Sequence, residues 1–233
     1  MVKKTDITPS SSKFSSTNQW EELMEDKDFI NVFFSDILAV YIQKQRWYGG
    51  KSSELKYIEL SEFFKIKQGE EVYFGLILEI NFVDAFYHHY FLPIGFSSGK
   101  NETKEGRILP LKLKDREGYI IDAMHLEGFR KVVYERISSA LPVDKTPVQY
   151  HKSEGFDFPS YESSRFLGVE QSNTSIIYND AFILKFFRRI YADKNPDYEM
   201  SRFLSEKKEF KNTPPYLGSI NIIDSENINI TIG

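Results

Sequence analysis

The amino-acid sequence predicts an α+β protein built from two successive units. Apolar residues recur at every third or fourth position between residues 28 and 45, which is the pattern of an amphipathic helix. Pairs of apolar, aromatic-rich segments follow, separated by short polar turns as in antiparallel hairpins. Beyond a segment punctuated by Pro142, Pro147 and Pro159, strand and helix patterns alternate again. We therefore expect two sheet-and-helix units that join near residue 145.

The first unit is expected to span residues 19–145 and to pack an antiparallel sheet against its helices. Its first helix carries a single apolar stripe, which stops before Gly49-Gly50, a dipeptide typical of the region just past a helix. The stripe consists of Ile30, Phe33, Phe34, Ile37, Leu38, Tyr41 and Ile42. The predicted strands cover residues 55–66, 71–82, 85–94, 107–113 and 119–123, and a second helix covers residues 125–140.

The second unit is expected to span residues 146–233. Asn179-Asp180 is typical of a two-residue hairpin turn. Asn195 followed by Pro196 is the pattern of an N-cap and a first helical residue. The predicted strands cover residues 165–169, 175–178, 181–187, 217–223 and 228–232, and a helix covers residues 196–208.

Composition excludes several classes of protein. The 233 residues carry a formal net charge of −4, so there is no basic surplus of the kind that binds nucleic acid or an anionic membrane. The chain has no cysteine, which excludes disulfides, thiolate metal sites and cysteine nucleophiles. Residues 1–18 are polar and lack the apolar core of a signal peptide, so we expect a flexible tail and a cytoplasmic protein. His88 and His89 would point to opposite faces of a strand, so we expect no metal site.

A lysine inside an apolar strand is the most informative residue of the second unit. Lys185 lies between Leu184 and Phe186, where it must reach solvent, pair with a carboxylate or hold an anion. If Asn179-Asp180 forms the whole turn, Lys185 lies opposite Thr174.

The surroundings of this lysine favour a phosphate site. A small polar loop precedes the second strand, and backbone N–H groups in such a turn suit phosphate oxygens. The loop consists of Gln171, Ser172, Asn173, Thr174 and Ser175. The first turn of the following helix carries Asp197 and Glu199, and either carboxylate would keep the ammonium charged. In protein kinases a loop between the first two strands covers the phosphates, a third-strand lysine contacts them and a helix glutamate pairs with that lysine. The loop here lacks the kinase G-x-G-x-x-G pattern.

Five longer segments resemble bacterial maltokinases, which phosphorylate maltose with ATP and also occur fused to trehalose synthase. The segments of the second unit are similar to the kinase N-lobe: GVEQSNTSIIYNDAFILKFFRRI, NPDYEMSRFLSE and PPYLGSI. Those of the first unit are similar to the N-terminal cap domain: KQRWYGGKSSELKYIEL and YFLPI. The similarity runs in the family's order from about residue 28 to residue 233.

The resemblance implies a cap domain followed by a protein-kinase-like N-lobe of the aminoglycoside-phosphotransferase type. It implies ATP and Mg²⁺ as cofactors, maltose as acceptor, maltose 1-phosphate as product and trehalose synthase as a candidate partner. Carried over by position, Lys185 would contact the α/β-phosphates, Glu199 would pair with it (with Glu206 as the alternative), and the loop from Gln171 to Ser175 would face the phosphates. The catalytic aspartate, the Mg²⁺ ligands and the sugar pocket of such kinases belong to a C-lobe, which we expect to be absent from these 233 residues. We therefore expect no catalytic residue here and no phosphate transfer by this fragment.

Other interpretations stay open at the level of sequence. The chain would also suit a non-catalytic module that binds a partner protein or a glucan through its aromatic-rich sheet, or a related small-molecule kinase with another acceptor. We interpret RWYGGKS as structural, with Trp47 in the core and Arg46 paired with a carboxylate. Arg188 and Arg189 are expected to be solvated charges at a strand end.

Overall fold

The structure, a computed structural model, describes most of both expected units. It covers residues 13–98, 104–114, 116–139, 146–167, 172–191, 195–207, 210, 212–223 and 229–233, without the side chains of residues 206 and 229. Gln171 and residues 1–12 of the expected tail lie outside the described residues, as do residues 140–145 at the expected boundary between units. None of the helices in the described ranges is long and apolar enough to cross a bilayer.

The described residues form thirteen strands and four α-helices. The strands are β1 (Phe14–Ser15), β2 (Leu55–Gln68), β3 (Glu71–Phe82), β4 (Tyr87–Ser97), β5 (Arg107–Lys112), β6 (Glu117–Asp122), β7 (Val148–Lys152), β8 (Ser164–Phe166), β9 (Asn173–Tyr178), β10 (Phe182–Phe187), β11 (Arg189–Ile190), β12 (Gly218–Ile223) and β13 (Asn229–Thr231). The helices are α1 (Lys27–Val32), α2 (Leu38–Gln43), α3 (Glu127–Ser139) and α4 (Pro196–Glu206), with 3₁₀ turns at Trp20–Glu25 and Ala123–His125.

The strands are arranged in one large sheet and two small ones. The large sheet has the order β1-β5-β6-β4-β3-β2, and β11 pairs antiparallel with β4 beyond the end of β6. The small sheets have the orders β10-β9-β8 and β13-β12-β7. A hydrogen bond from the Phe187 amide to the Ile232 carbonyl, 3.1 Å long, joins the two small sheets. The result is the sheet-rich α+β architecture that the sequence predicts.

One face of the large sheet covers the first helical region. The predicted helix is divided by a π-helical turn at Phe33–Ile37, which separates α1 from α2. The apolar stripe nevertheless faces the sheet, and Phe33, Leu38 and Ile42 are fully buried there. Gly50 packs so closely that a Cβ atom would lie 2.5 Å from the Tyr48 hydroxyl, so this glycine serves close packing of the chain after the helix.

The opposite face of the large sheet packs against residues from both expected units. Its core cluster includes Phe64 and Phe91 of the sheet, Phe129 of α3, and Phe186 and Ile220 of the small sheets. The hydrogen bonds between β11 and β4 also connect the two expected units. The second unit is therefore bound to the first by a continuous apolar core and by strand pairing.

Three local predictions are wrong. Residues 13–18 were expected to be a flexible tail, but Phe14 and Ser15 pair with β5, and the Asn18 side chain donates to Asp26 Oδ2 at 3.1 Å. No strand was predicted around Pro147, but the chain there forms β7, which pairs with β12. Arg46 was expected to pair with a carboxylate, but it is exposed and forms no ion pair with any described residue.

Candidate functional site

A cleft of 740 Å³ opens beside Lys185 between the small sheets and α4. Its walls are largely apolar and aromatic. The described residues that line it include Phe156, Phe158, Phe182, Ile183, Phe187, Tyr198, Met200, Pro214, Pro215 and Tyr216. Lys185 and Asp197 are the only charged side chains among the described residues that line it. An apolar cleft with a few convergent polar groups is the usual form of a small-molecule site.

Lys185 forms an ion pair across this cleft. Its ammonium nitrogen lies 2.7 Å from Asp197 Oδ2, and the two side chains are 38% and 60% exposed. Solvent therefore reaches both groups. An ammonium has three N–H donors, so the bond to Asp197 leaves two of them for another acceptor.

The partner of Lys185 differs from the Glu199 pairing that the family resemblance implied. Asn195 caps α4, and its side chain accepts from the Asp197 amide at 2.9 Å, so the predicted start of the helix is confirmed. Residues two apart on a helix do not face the same side. Once Asp197 faces Lys185, Glu199 lies on another side of α4, where it is exposed. The side chain of Glu206, the alternative partner, lies outside the described residues.

The register of the β9–β10 hairpin also differs from the predicted one. Asn179 and Asp180 both have positive φ, and the Ala181 amide donates to the Tyr178 carbonyl, as in the predicted turn. However, the ladder begins with Phe182 opposite Tyr178, so Ala181 belongs to the loop. Lys185 consequently lies opposite Ser175 and not opposite Thr174.

This shift of one residue changes which face of the hairpin each side chain occupies. Ser175 shares the cleft-side face with Lys185, whereas Thr174 lies opposite Phe186 and is buried toward the large sheet. Asn173, Thr174 and Ser175 belong to β9 and not to a loop. Ser172 is exposed, Asn173 is half-buried and Ser175 is 5% exposed, and none of these three residues lines the cleft. Gln171 lies outside the described residues. The structure thus brings Ser175 next to Lys185 in the ladder and turns Thr174 away.

Arg188 has a different environment from the one that the sequence predicted. The prediction of a solvated charge is wrong, because its side chain is 1% exposed. Arg188 Nη2 donates to Asp122 Oδ2 at 2.7 Å, and Arg188 Nε donates to Thr174 Oγ1 at 2.8 Å. Its guanidinium carbon lies 4.9 Å from the centre of the Trp47 ring, within cation–π range. The acidic and aromatic partners are far away in sequence, so no local pattern pointed to this contact.

Asp122 accepts three hydrogen bonds in this buried environment. Besides Arg188, it accepts from the Tyr41 hydroxyl at 3.3 Å and from the Met124 amide at 3.1 Å. Burial, together with the neighbouring Asp122 carboxylate, raises the pKa of Tyr41 well above its ordinary value of 10.0. The phenol therefore keeps its proton and acts as a donor to Asp122.

The part of the chain that supplies Tyr41, Trp47 and Asp122 also has a known counterpart. Residues 41–125 match the family model of the maltokinase N-terminal cap domain. This match supports a maltokinase-type N-terminal cap in this part of the chain. The match contains both cap-like segments noted in the sequence, at residues 44–60 and 90–94, and it lies within the expected first unit. Within the cap, Tyr41, Trp47 and Asp122 are the residues that contact or support Arg188.

A second cavity, of 270 Å³, lies within the first unit, away from Lys185. Its lining includes Glu21, Glu71, Arg116 and Glu127, and the Tyr73 hydroxyl donates to Glu71 at 3.0 Å. It combines a smaller volume with several carboxylates that would repel an anion. The larger cleft at Lys185 is therefore the stronger candidate for a small-molecule site.

Proposed function

We propose that this chain is the cap and nucleotide-binding part of an ATP-dependent maltokinase, which converts maltose and ATP to maltose 1-phosphate in α-glucan and trehalose metabolism. The cap domain supports the family. The observation that carries the nucleotide site is the accessible Lys185 ammonium, paired with a carboxylate of α4 at the edge of an apolar cleft. A kinase N-lobe uses a third-strand lysine in this way.

The cleft fits ATP in two respects. Its aromatic and apolar walls suit a purine base, and the two remaining N–H donors of Lys185 suit phosphate oxygens. Burial raises the pKa of Tyr216 in the wall to about 12, so its phenol stays neutral and does not repel the phosphates. Ser175 lies opposite Lys185 in the ladder, but it is 5% exposed and does not line the cleft, so the phosphate site rests on Lys185.

The described residues do not fit a Mg²⁺ site by themselves. Mg²⁺ takes oxygen ligands, usually one or two carboxylates together with substrate phosphates. Asp197 is the only carboxylate among the described residues of the cleft, and it is bonded to Lys185. Among its described residues, the cleft also offers no second carboxylate side chain as a base for a sugar hydroxyl. We therefore propose nucleotide binding, without phosphoryl transfer, for these 233 residues alone.

Titration calorimetry with ATP tests this proposal. Lys185→Met keeps the length of the side chain and removes its charge, so we expect ATP binding to weaken by about tenfold or more, as for a lost charge-assisted hydrogen bond. Lys67→Met is the matched control, because Lys67 is also an accessible lysine in an ion pair, 2.5 Å from Glu21 in the first unit. Equal ATP affinity of the two variants, or no heat of binding with the wild-type chain at millimolar ATP, would contradict the proposal.

A binding module is the second candidate, and one observation favours it. Tyr57, Asn81 and Tyr87 lie side by side across β2, β3 and β4, and both tyrosines are exposed. Exposed aromatic rings beside an amide offer stacking and hydrogen bonds to a sugar chain. The same calorimetry with a linear maltooligosaccharide distinguishes the two candidates. Glucan binding that is lost in Tyr57→Ala/Tyr87→Ala and unaffected by Lys185→Met would favour the module.

A further inference from the structure

Helix α4, which supplies Asp197 to the cleft, buries little apolar surface. None of its described side chains is buried, and its apolar residues Met200 and Phe203 are 58% and 55% exposed. In most proteins the packing of an apolar face supplies most of the stability of a helix, and that contribution is small here. The position of α4, and with it the position of Asp197 beside Lys185, therefore depends on a few specific contacts.

Tyr216, in the segment that precedes β12, makes two of these contacts. Its backbone amide donates to Ser205 Oγ, near the C-terminal end of α4, at 2.8 Å. Its ring meets the Tyr198 ring edge to face, with ring centres 5.9 Å apart and an interplanar angle of 68°. Tyr198 belongs to the first turn of α4. A single residue outside the helix thus contacts both of its ends.

Tyr216 is in turn fixed to a buried strand. Its hydroxyl donates to Ser219 Oγ at 3.0 Å, and Ser219 is fully buried. Ser219 belongs to β12, which pairs with β7 on one side and with β13 on the other. Tyr216 therefore connects a helix that packs weakly to the central strand of a small sheet.

The ion pair at the start of α4 depends on this connection. Asp197 and Lys185 are 60% and 38% exposed, so water screens their attraction and the pair alone holds the helix weakly. Lys185 lies on β10, in the other small sheet, so the position of α4 sets its distance to Asp197. Without the contacts of Tyr216, α4 could move away from the cleft, and the Lys185 ammonium would lose the carboxylate that orients it.

We propose that Tyr216 is a positioning residue that holds α4 beside the cleft, keeps Asp197 on Lys185 and thereby raises the nucleotide affinity of the site. This inference rests on the proposed function for its nucleotide. Tyr216 acts here through α4 and its aspartate, and a contact between its own ring and the nucleotide is not required. Ser205, its partner on α4, is well suited to a test because it does not line the cleft.

Two substitutions at Ser205 test the proposal on the whole chain. Ser205→Ala removes the acceptor of the Tyr216 amide, and Ser205→Thr restores it. We expect the Kd for ATP to rise about fivefold in Ser205→Ala and to return close to the wild-type value in Ser205→Thr. Hydrogen exchange of the amides at residues 200–205 should be faster in Ser205→Ala alone. Alanine favours a helix more than serine does, so faster exchange cannot result from helix propensity.

Ser138→Ala is the matched control for Ser205→Ala. Ser138 also lies near the C-terminal end of a helix, α3, and its hydroxyl donates to the Glu135 carbonyl at 3.0 Å. This variant should leave the Kd for ATP and the exchange of residues 200–205 unchanged.

A double variant shows whether the effect passes through the ion pair. Asp197→Asn already removes the carboxylate that α4 brings to Lys185, so the addition of Ser205→Ala should change the Kd for ATP by less than about twofold. Tyr216→Phe removes the hydrogen bond to Ser219 and should raise the Kd as Ser205→Ala does. An unchanged Kd in Tyr216→Phe would contradict the role of Ser219 in fixing Tyr216.

The outcomes separate this inference from the proposed function. If Ser205→Ala matches Ser138→Ala in both ATP affinity and exchange, the positioning role is wrong even though the chain binds ATP. The role is also wrong if Ser205→Ala has its full effect on the Kd in the Asp197→Asn background, because α4 would then not act through Asp197. If the wild-type chain does not bind ATP, the nucleotide proposal fails, and faster exchange of α4 that Ser205→Thr reverses still supports its attachment by Tyr216.

Discussion

Lys185 and Arg188 lie three residues apart, and each donates to an aspartate oxygen at 2.7 Å, yet the two ion pairs have opposite environments. Lys185 and Asp197 are 38% and 60% exposed, whereas Arg188 and Asp122 are each 1% exposed. Because water screens the first pair, this pair contributes little to stability, and the Lys185 ammonium can bind another anion. Removing one partner of the second pair would leave a buried charge without compensation.

This difference separates two roles that the sequence does not distinguish. Successive residues of a strand point to opposite faces, so Lys185 and Phe187 face the cleft while Phe186 faces the cap. Arg188 follows on the cap side, where Trp47 and Asp122 surround it. The same short segment therefore carries a ligand-accessible cation on one face and a structural cation on the other. The two ion pairs have the same N–O distance, so it is the difference in burial that decides which cation can contact a ligand.

The largest expected effect comes from breaking the buried pair on one side only. Asp122→Leu leaves the Arg188 charge buried without a carboxylate, so we expect a loss of about 3–5 kcal/mol in the free energy of unfolding. The double variant Asp122→Leu/Arg188→Met removes both charges and should be more stable than the single one. Urea denaturation monitored by Trp fluorescence measures both. A single variant that loses less than about 1 kcal/mol would show that the pair is not buried as described.

Local patterns in the sequence were sufficient for most of the secondary structure. The apolar stripe of the first helix, the apolar run of β3 and the Asn195-Pro196 cap each depend on neighbours within a few positions, and the structure confirms them. The π-helical turn at Phe33–Ile37 was not predicted, because it leaves the apolar stripe in place. Likewise, β7 is stabilised by its pairing with β12, a partner distant in sequence.

The candidate site was predicted less completely than the fold, for two physical reasons. The Asn179-Asp180 dipeptide indicates the turn but not whether Ala181 joins the ladder, and that single residue exchanges the faces of Thr174 and Ser175. In contrast, the environment of Arg188 depends on Asp122, 66 positions earlier, which no local pattern reveals. Lys185 was predicted as the key cation because its apolar neighbours made it unusual within its own strand.

A smaller effect on the free energy of unfolding is expected from pH, through His125, which lies near the buried Arg188–Asp122 pair. Burial lowers the pKa of His125 below its ordinary value of 6.5, so the folded state favours the neutral ring. The unfolded state then binds more protons near pH 6, and stability must fall as the pH falls through 6.5. Each unit by which the pKa is lowered corresponds to about 1.4 kcal/mol at low pH. Urea denaturation of the wild type between pH 7.5 and 5.5 should show this loss.

His125→Gln provides the control for this pH effect. It removes the titrating ring, so the loss of stability between pH 7.5 and 5.5 should be smaller than in the wild type. The remaining slope would include His88, whose pKa is also lowered, chiefly by burial. A wild-type slope that His125→Gln leaves unchanged would rule out His125 as its source.

The smallest expected effect on stability comes from the exposed pair. Asp197→Asn should lower the free energy of unfolding by less than about 1 kcal/mol, because an exposed ion pair and a helix-terminal carboxylate each contribute only a fraction of that in water. Asp180→Asn is the matched control, since Asp180 forms an exposed pair with Arg165 at 2.9 Å. In 1 M salt, where the Debye length is about 3 Å, the two variants should approach the wild type in stability. A loss above about 2 kcal/mol in Asp197→Asn alone would mean that the Lys185 pair stabilises the fold as the Arg188 pair does, and a lysine held that firmly would not be free to bind a phosphate.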